Sequence, residues 1–131
     1  MWLLLLALFH LSPAQADRRL LERSAREHGV PLAVLVGVCA QESGVGTNPR
    51  AESICGTKIR GEYVRDHAES IDIAGRSLSR RLAECRTWPR AIAAYQSGQG
   101  CSARSRHTRQ HVREVMRFVC GLGRLPGCPG R

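Results

Sequence analysis

Apolar residues recur in this chain first as one unbroken run and then at the spacing of helical faces. Trp2 to Leu11 is almost uniformly apolar and leads into Pro13 and Ala14-Gln15-Ala16. Asp17 is placed to cap an amphipathic helix with Leu20, Leu21 and Ala25 on one side and Arg18, Arg19, Arg23 and Arg26 on the other, ended by Gly29. Pro31 suits the first position of a second helix, in which Leu32, Ala33, Val34, Leu35, Val36, Val38 and Cys39 leave almost no polar face. A helix apolar all round belongs in the middle of a core. Ile71, Ala74, Leu78, Leu82 and Cys85 predict a third helix from about Ser70 to Cys85. Trp88-Pro89 opens a short fourth through Ile92 and Tyr95, closed by Ser97-Gly98, and Ser105 caps a last helix with Val112, Val115, Met116, Val119 and Cys120 inward. Gly44, Gly46, Asn48-Pro49, Gly56 and Gly61 predict a long connection to about Tyr63, where a cleft wall would stand. Nothing alternates as a strand does. The predicted fold is a single all-α domain without repeats or linkers.

The opening run has the order of parts of a signal peptide, with small residues before a cut after Ala16, and is too short for a permanent membrane span. No Lys or Arg precedes it, which leaves the α-amino group as its only positive charge. The expected organisation is a signal peptide over 1–16 and one domain over 17–131 with a Gly- and Pro-rich C-terminal tail. The alternative is that the run forms a buried N-terminal helix of the folded domain. Twenty Lys and Arg against eleven Asp and Glu give a formal charge of +9, which favours anionic partners. For an exported chain the bacterial wall or a membrane outranks nucleic acid, and a monomer in the periplasm or outside the cell is expected. Lys58 is the only lysine, so the charge is carried by arginine, and a solvated basic surface is the plainer alternative.

Six cysteines, Cys39, Cys55, Cys85, Cys101, Cys120 and Cys128, form an even set in a small chain and imply disulfides. No C-x-x-C pair is present, so zinc is discounted; no metal and no cofactor is expected. Fifteen pairings are open to six cysteines, and spacing alone does not choose among them. A buried free thiol is the alternative for Cys39.

Glu42 follows the apolar helix directly, one turn after Cys39 and just before Ser43 and Gly44. Partial burial and the negative end of the helix both disfavour its ionised form, which raises its pKa. A carboxyl that stays protonated near neutral pH can deliver a proton to a departing sugar oxygen. The alternative is a loop cap or an ion pair with one of the arginines.

The stretch from Val30 to Gly100 resembles the catalytic domain of soluble lytic transglycosylases, lysozyme-like enzymes of the bacterial periplasm. The resemblance rests on Leu35-Val36-Gly37-Val38-Cys39-Ala40-Gln41-Glu42-Ser43-Gly44, on Ile71-Asp72-Ile73-Ala74-Gly75 followed by Leu78 and Leu82, and on Ala93-Ala94-Tyr95-Gln96-Ser97-Gly98. It implies a compact lysozyme-like fold that cleaves peptidoglycan between N-acetylmuramic acid and N-acetylglucosamine, leaving a 1,6-anhydro sugar. It also implies that Glu42 is the sole catalytic acid and base, that Ser43 holds substrate or orients Glu42, and that Tyr95 lies against the cleaved sugar beside Gln96. Ser53 and Gly56 match a Ser-x-x-Gly read as scaffold. The chain departs from the family at Thr57-Lys58-Ile59-Arg60-Gly61-Glu62, where Glu62 takes the place of a substrate-contacting Gln. That departure leaves room for Glu52, Glu62, Asp66 or Asp72 to activate water in a lysozyme-type hydrolase. A wall-binding relative without turnover and a cationic antibacterial protein are the rivals from other classes. By analogy with small enzymes of this kind, a secretion, conjugation or pilus machine is a candidate partner.

Overall fold

Helix formation follows the apolar periodicity, and the computed structural model shows how the helices close around one of their number. It describes residues 2–9, 11, 13–123 and 125–128, with only the backbone of Leu8 and Phe9; His10 and Ser12 of the opening segment, Arg124 and 129–131 of the expected tail lie outside the described residues. Among the described residues six helices run in the order α1 (Trp2–Phe9), α2 (Gln15–His28), α3 (Leu32–Ser43), α4 (His67–Cys85), α5 (Trp88–Ser97) and α6 (Arg106–Leu122). Between α3 and α4 stand two short antiparallel strands, β1 (Lys58–Ile59) and β2 (Glu62–Tyr63), in the register Lys58 to Tyr63 and Ile59 to Glu62. The expectation of no strand is therefore corrected. Two residues per strand are too few to show alternation, and the turn is made by Arg60 and Gly61, both at positive φ as a tight hairpin turn requires.

α3 is the central helix that its sequence predicts: every residue from Val34 to Cys39 is buried. α2 and α4 pack closely where Gly75 meets Ser24, whose hydroxyl donates to the Ile71 carbonyl at 2.9 Å. A Cβ at position 75 would collide with that hydroxyl, so the crossing depends on glycine there. The cap of α2 and the start of α4 differ from expectation. α2 begins at Gln15, so Asp17 sits inside its first turn, buried, and binds His67 Nδ1 at 2.9 Å instead of capping. α4 begins three residues before Ser70 because the Asp66 carboxylate accepts from the Glu69 N–H at 2.8 Å, upstream of the first apolar position. Ser105 does cap α6, accepting from the Thr108 N–H at 3.0 Å.

α1 folds back onto α2: Leu5 is fully buried, and Trp2 Nε1 donates to a Glu22 carboxylate oxygen at 2.6 Å. No described helix is long and apolar enough to cross a membrane. All six cysteines are paired, as Cys39–Cys55, Cys85–Cys101 and Cys120–Cys128, so Cys39 is not a free thiol. Three disulfides point to an oxidising, extracellular environment. The first ties α3 to the loop before β1, the second ties α4 to the loop after α5, and the third folds the C-terminal segment onto α6.

Replacing Cys39 and Cys55 together by alanine is expected to destabilise the fold by about 3 kcal/mol, as the loss of a link closing a loop of this length implies. Urea unfolding of the oxidised protein checks it. The same change at Cys120 and Cys128, a link across half that separation at the chain's end, should be the milder of the two.

Candidate active site

Two ties on the end of α3 decide what lies next to Glu42. The Cys39–Cys55 bridge anchors the loop one turn before the glutamate. The Ser43 hydroxyl donates to the Ile54 carbonyl at 2.6 Å and accepts from the Gly46 N–H at 2.8 Å. Together they press residues 54–56 against the helix end. Gly56, at a φ of +68°, meets the Glu42 side chain so closely that a Cβ there would lie 2.5 Å from the carboxyl carbon and from Oε2. Only glycine combines that backbone angle with that approach.

From α5, Tyr95 completes the enclosure by donating its hydroxyl to the Cys55 carbonyl at 2.6 Å. Burial first, and the neighbouring Glu42 second, push its pKa above the ordinary phenol range, so the ring stands as a neutral wall. Gln96 is fixed by the Thr108 hydroxyl, which donates to Oε1 at 2.6 Å. Behind the loop a buried cluster of Ser53, Thr57 and Ser70 holds the hairpin to α4, with Thr57 Oγ1 and Ser70 Oγ 2.7 Å apart and Ser53 Oγ 3.0 Å from Ser70. This supports the reading of Ser53 as scaffold, whereas Gly56 also lines the site beside Glu42.

These parts open onto a groove of about 770 Å³, within the range of ligand sites. α3 contributes Gln41 and Glu42; the loop and hairpin contribute Gly56, Thr57, Lys58 and Tyr63. α4 supplies Ile73, Ser77 and Arg81, α5 and its cap Tyr95, Gln96, Ser97 and Gly98, and α6 His107, Gln110, His111 and Glu114. Burial raises the Glu42 pKa above the usual carboxylate value, and His107 and then Lys58 partly offset it by favouring the charged form. Lys58 is steered by Tyr63, whose ring centre lies 4.5 Å from its Nζ. His111 is held toward the neutral imidazole by burial and then by His107, against the pull of Glu114. Among the described residues the buried side-chain nitrogens without a partner are Arg81 Nε and His111 Nε2, and both belong to groove residues. Unmet polar atoms of this kind mark a site that a polar ligand can satisfy.

The structure thus brings Glu42, Tyr95 and Gln96 together and leaves two expected contacts outside. Ser43 is 2% exposed, with its hydroxyl turned onto the loop, so it positions the end of α3 and does not reach the groove. Glu62 points away because its neighbour Tyr63 faces the groove and adjacent strand residues face opposite sides. The other three acids considered for activating water are also elsewhere. Glu52 is exposed outside the groove, Asp66 caps α4, and Asp72 binds His28 Nε2 at 2.8 Å. Glu27, His28 and Asp72 offer ligand atoms within 4.8 Å of one another, but on the α2–α4 surface, away from the groove. Groove residues that the sequence reading missed include Lys58, Tyr63, Ser77, Arg81, His107, Gln110, His111 and Glu114. The spacing of His107, His111 and Glu114 on one side of α6 was the available signal, masked by the stronger apolar stripe beside it.

Compared with known proteins, the chain matches no family model, no curated protein and no solved structure.

Substituting Gly56 by alanine is expected to destabilise the protein by about 1–3 kcal/mol. Gly61, also at positive φ but with open space around it, provides the control. Gly61→Ala should lose less in the same urea titration, and the difference reports the clash with Glu42.

Proposed function

We propose that this chain is an exported, lysozyme-like lytic transglycosylase that cleaves the glycan strands of peptidoglycan with Glu42 as its acid and base. The observation that carries the reading is a half-buried carboxyl, its pKa raised by burial, wedged between Gly56 and the Tyr95 side of an open groove. The family resemblance along α3, α4 and α5 supplies the substrate class, and the three disulfides agree with export by an N-terminal signal over 1–16.

In the first step protonated Glu42 gives its proton to the glycosidic oxygen as the bond from that oxygen to the muramic acid anomeric carbon breaks. The positive charge that develops on the sugar ring is met by the carboxylate just formed. In the second step the same carboxylate takes the proton of the muramic acid 6-hydroxyl, whose oxygen bonds to the anomeric carbon. Glu42 ends protonated, as it began, and no water is consumed. Tyr95 offers the sugar an apolar ring, and Gln96, Ser97 and Gln110 supply polar contacts around it. The positions of Glu52, Glu62, Asp66 and Asp72 remove four candidates for a water-activating base. One observation favours hydrolysis instead: Glu114, a second carboxyl, lines the groove from α6.

Incubating the protein with purified peptidoglycan and weighing the released fragments tests the reading. Fragments one water lighter than reducing ends are expected, and Glu42→Gln should lower their yield by about a hundredfold or more. Reducing ends would assign the reaction to hydrolysis, and equal release by both proteins would end the enzyme reading.

The pH profile gives a second expectation. The active acid is the protonated carboxyl, so the rate falls as pH rises through the raised pKa of Glu42. A cation favours the carboxylate, so removing one raises that pKa further. Lys58→Met and His107→Gln are each expected to move the alkaline limb to higher pH, read from initial rates across the pH range.

A further inference from the structure

The outer face of α6 carries a row of charge that the groove does not use. Arg106, Arg109, Arg113 and Arg117 are all exposed. On an α-helix these positions share an arc of about 80° and span about 16 Å. The neighbouring arc of the same helix carries Gln110 and Glu114, which line the groove. The row is therefore the outer shoulder of the groove's α6 wall.

The arginines of α4 show how paired charge looks in this molecule. There Arg76 lies 3.8 Å from Asp72, Arg80 3.9 Å from Glu84 and Arg81 3.2 Å from Glu84. Among the described residues no carboxylate comes within 4 Å of any of the four α6 arginines. Arg109 donates to the Arg104 carbonyl at 2.7 Å, which fixes its position without neutralising it. Like charges three and four residues apart repel along a helix, and the first turn of α6 holds Arg106 and no acid, against the helix dipole. The row opposes folding of the helix that bears it. It gains only when anions are brought to it.

We propose that the arginine row of α6 is a rail for the carboxylates of peptide stems on the same strand whose sugars occupy the groove. The proposal rests on the peptidoglycan reading and names how the strand is held. A glycan strand in the groove presents its side branches along the shoulder, whereas a bilayer laid on the row would cover the groove's edge.

The test uses the full oxidised protein and a variant in which all four arginines become glutamine, with a four-lysine variant beside it. Binding is read by co-sedimentation with intact peptidoglycan over a salt series, and turnover on short soluble glycan fragments without peptide stems. The glutamine variant should bind intact wall about tenfold or more weakly, with a flattened salt response. Its fragment turnover should stay within about twofold of the parent, and the lysine variant should keep most of the binding. It should also melt no lower than the parent, since repulsion has been relieved. Wall whose carboxyls have been amidated should lose the parent's affinity. Undiminished binding by the glutamine variant, or indifference to amidation, overturns the proposal. So does loss of binding to anionic phospholipid vesicles with wall binding intact, which would assign the row to a membrane. A parent that binds in this salt-dependent way but cleaves nothing would retire the transglycosylase reading and leave the rail standing.

Discussion

The sulfur bridge between Cys39 and Cys55 is the covalent tie at the centre of the site, joining α3 to the loop that Tyr95 of α5 also reaches. It fixes the loop to α3 one turn ahead of Glu42, places Gly56 on the carboxyl, and sets the Cys55 carbonyl where the Tyr95 hydroxyl can reach it. Hydrogen bonds from Ser43 and within the Ser53, Thr57 and Ser70 cluster then lock the loop from behind. The stretch from Gly44 to the hairpin buries few large apolar side chains, so its order comes from these polar and covalent ties. That matters for the proposed chemistry, since a reacting group must be held close to its working position.

Glu42 is held between opposing influences. Burial pushes its carboxyl toward the neutral form, and His107 and then Lys58 partly pull it back. In the proposed reaction the group gives a proton and then accepts one, which works best when neither form is strongly preferred. Tyr95 shows the other extreme. Enclosed and adjacent to Glu42, it keeps its proton and serves through shape and a single hydrogen bond.

Most of the helical frame was legible because it depends on near-neighbour chemistry. The uniform apolarity of α3 placed it at the centre, Ser105 capped α6, and Gly98 closed α5 in the left-handed conformation. Errors arose where a distant partner or a cap upstream overrode the reading from apolar spacing. Asp17 was drawn into a buried contact with His67, and Asp66 started α4 before its apolar stripe began. The hairpin was invisible because its strands are two residues long. Glu62 was misplaced for the same reason, since only the pairing register reveals which of two adjacent residues faces the groove. The residues of α6 that line the site occupy a polar edge, and from sequence such an edge looks the same whether it meets water or a ligand.

The disulfide map has a consequence for how the chain comes to be made. Each cysteine joins the next one along: first to second, third to fourth, fifth to sixth, across separations of 16, 16 and 8 residues. Short separations cost little entropy to close. A polypeptide threaded end-first into an oxidising compartment can thus complete each link before the next pair arrives. Order of emergence alone then selects one pattern out of fifteen, and a catalyst that reshuffles wrong pairings has little left to correct.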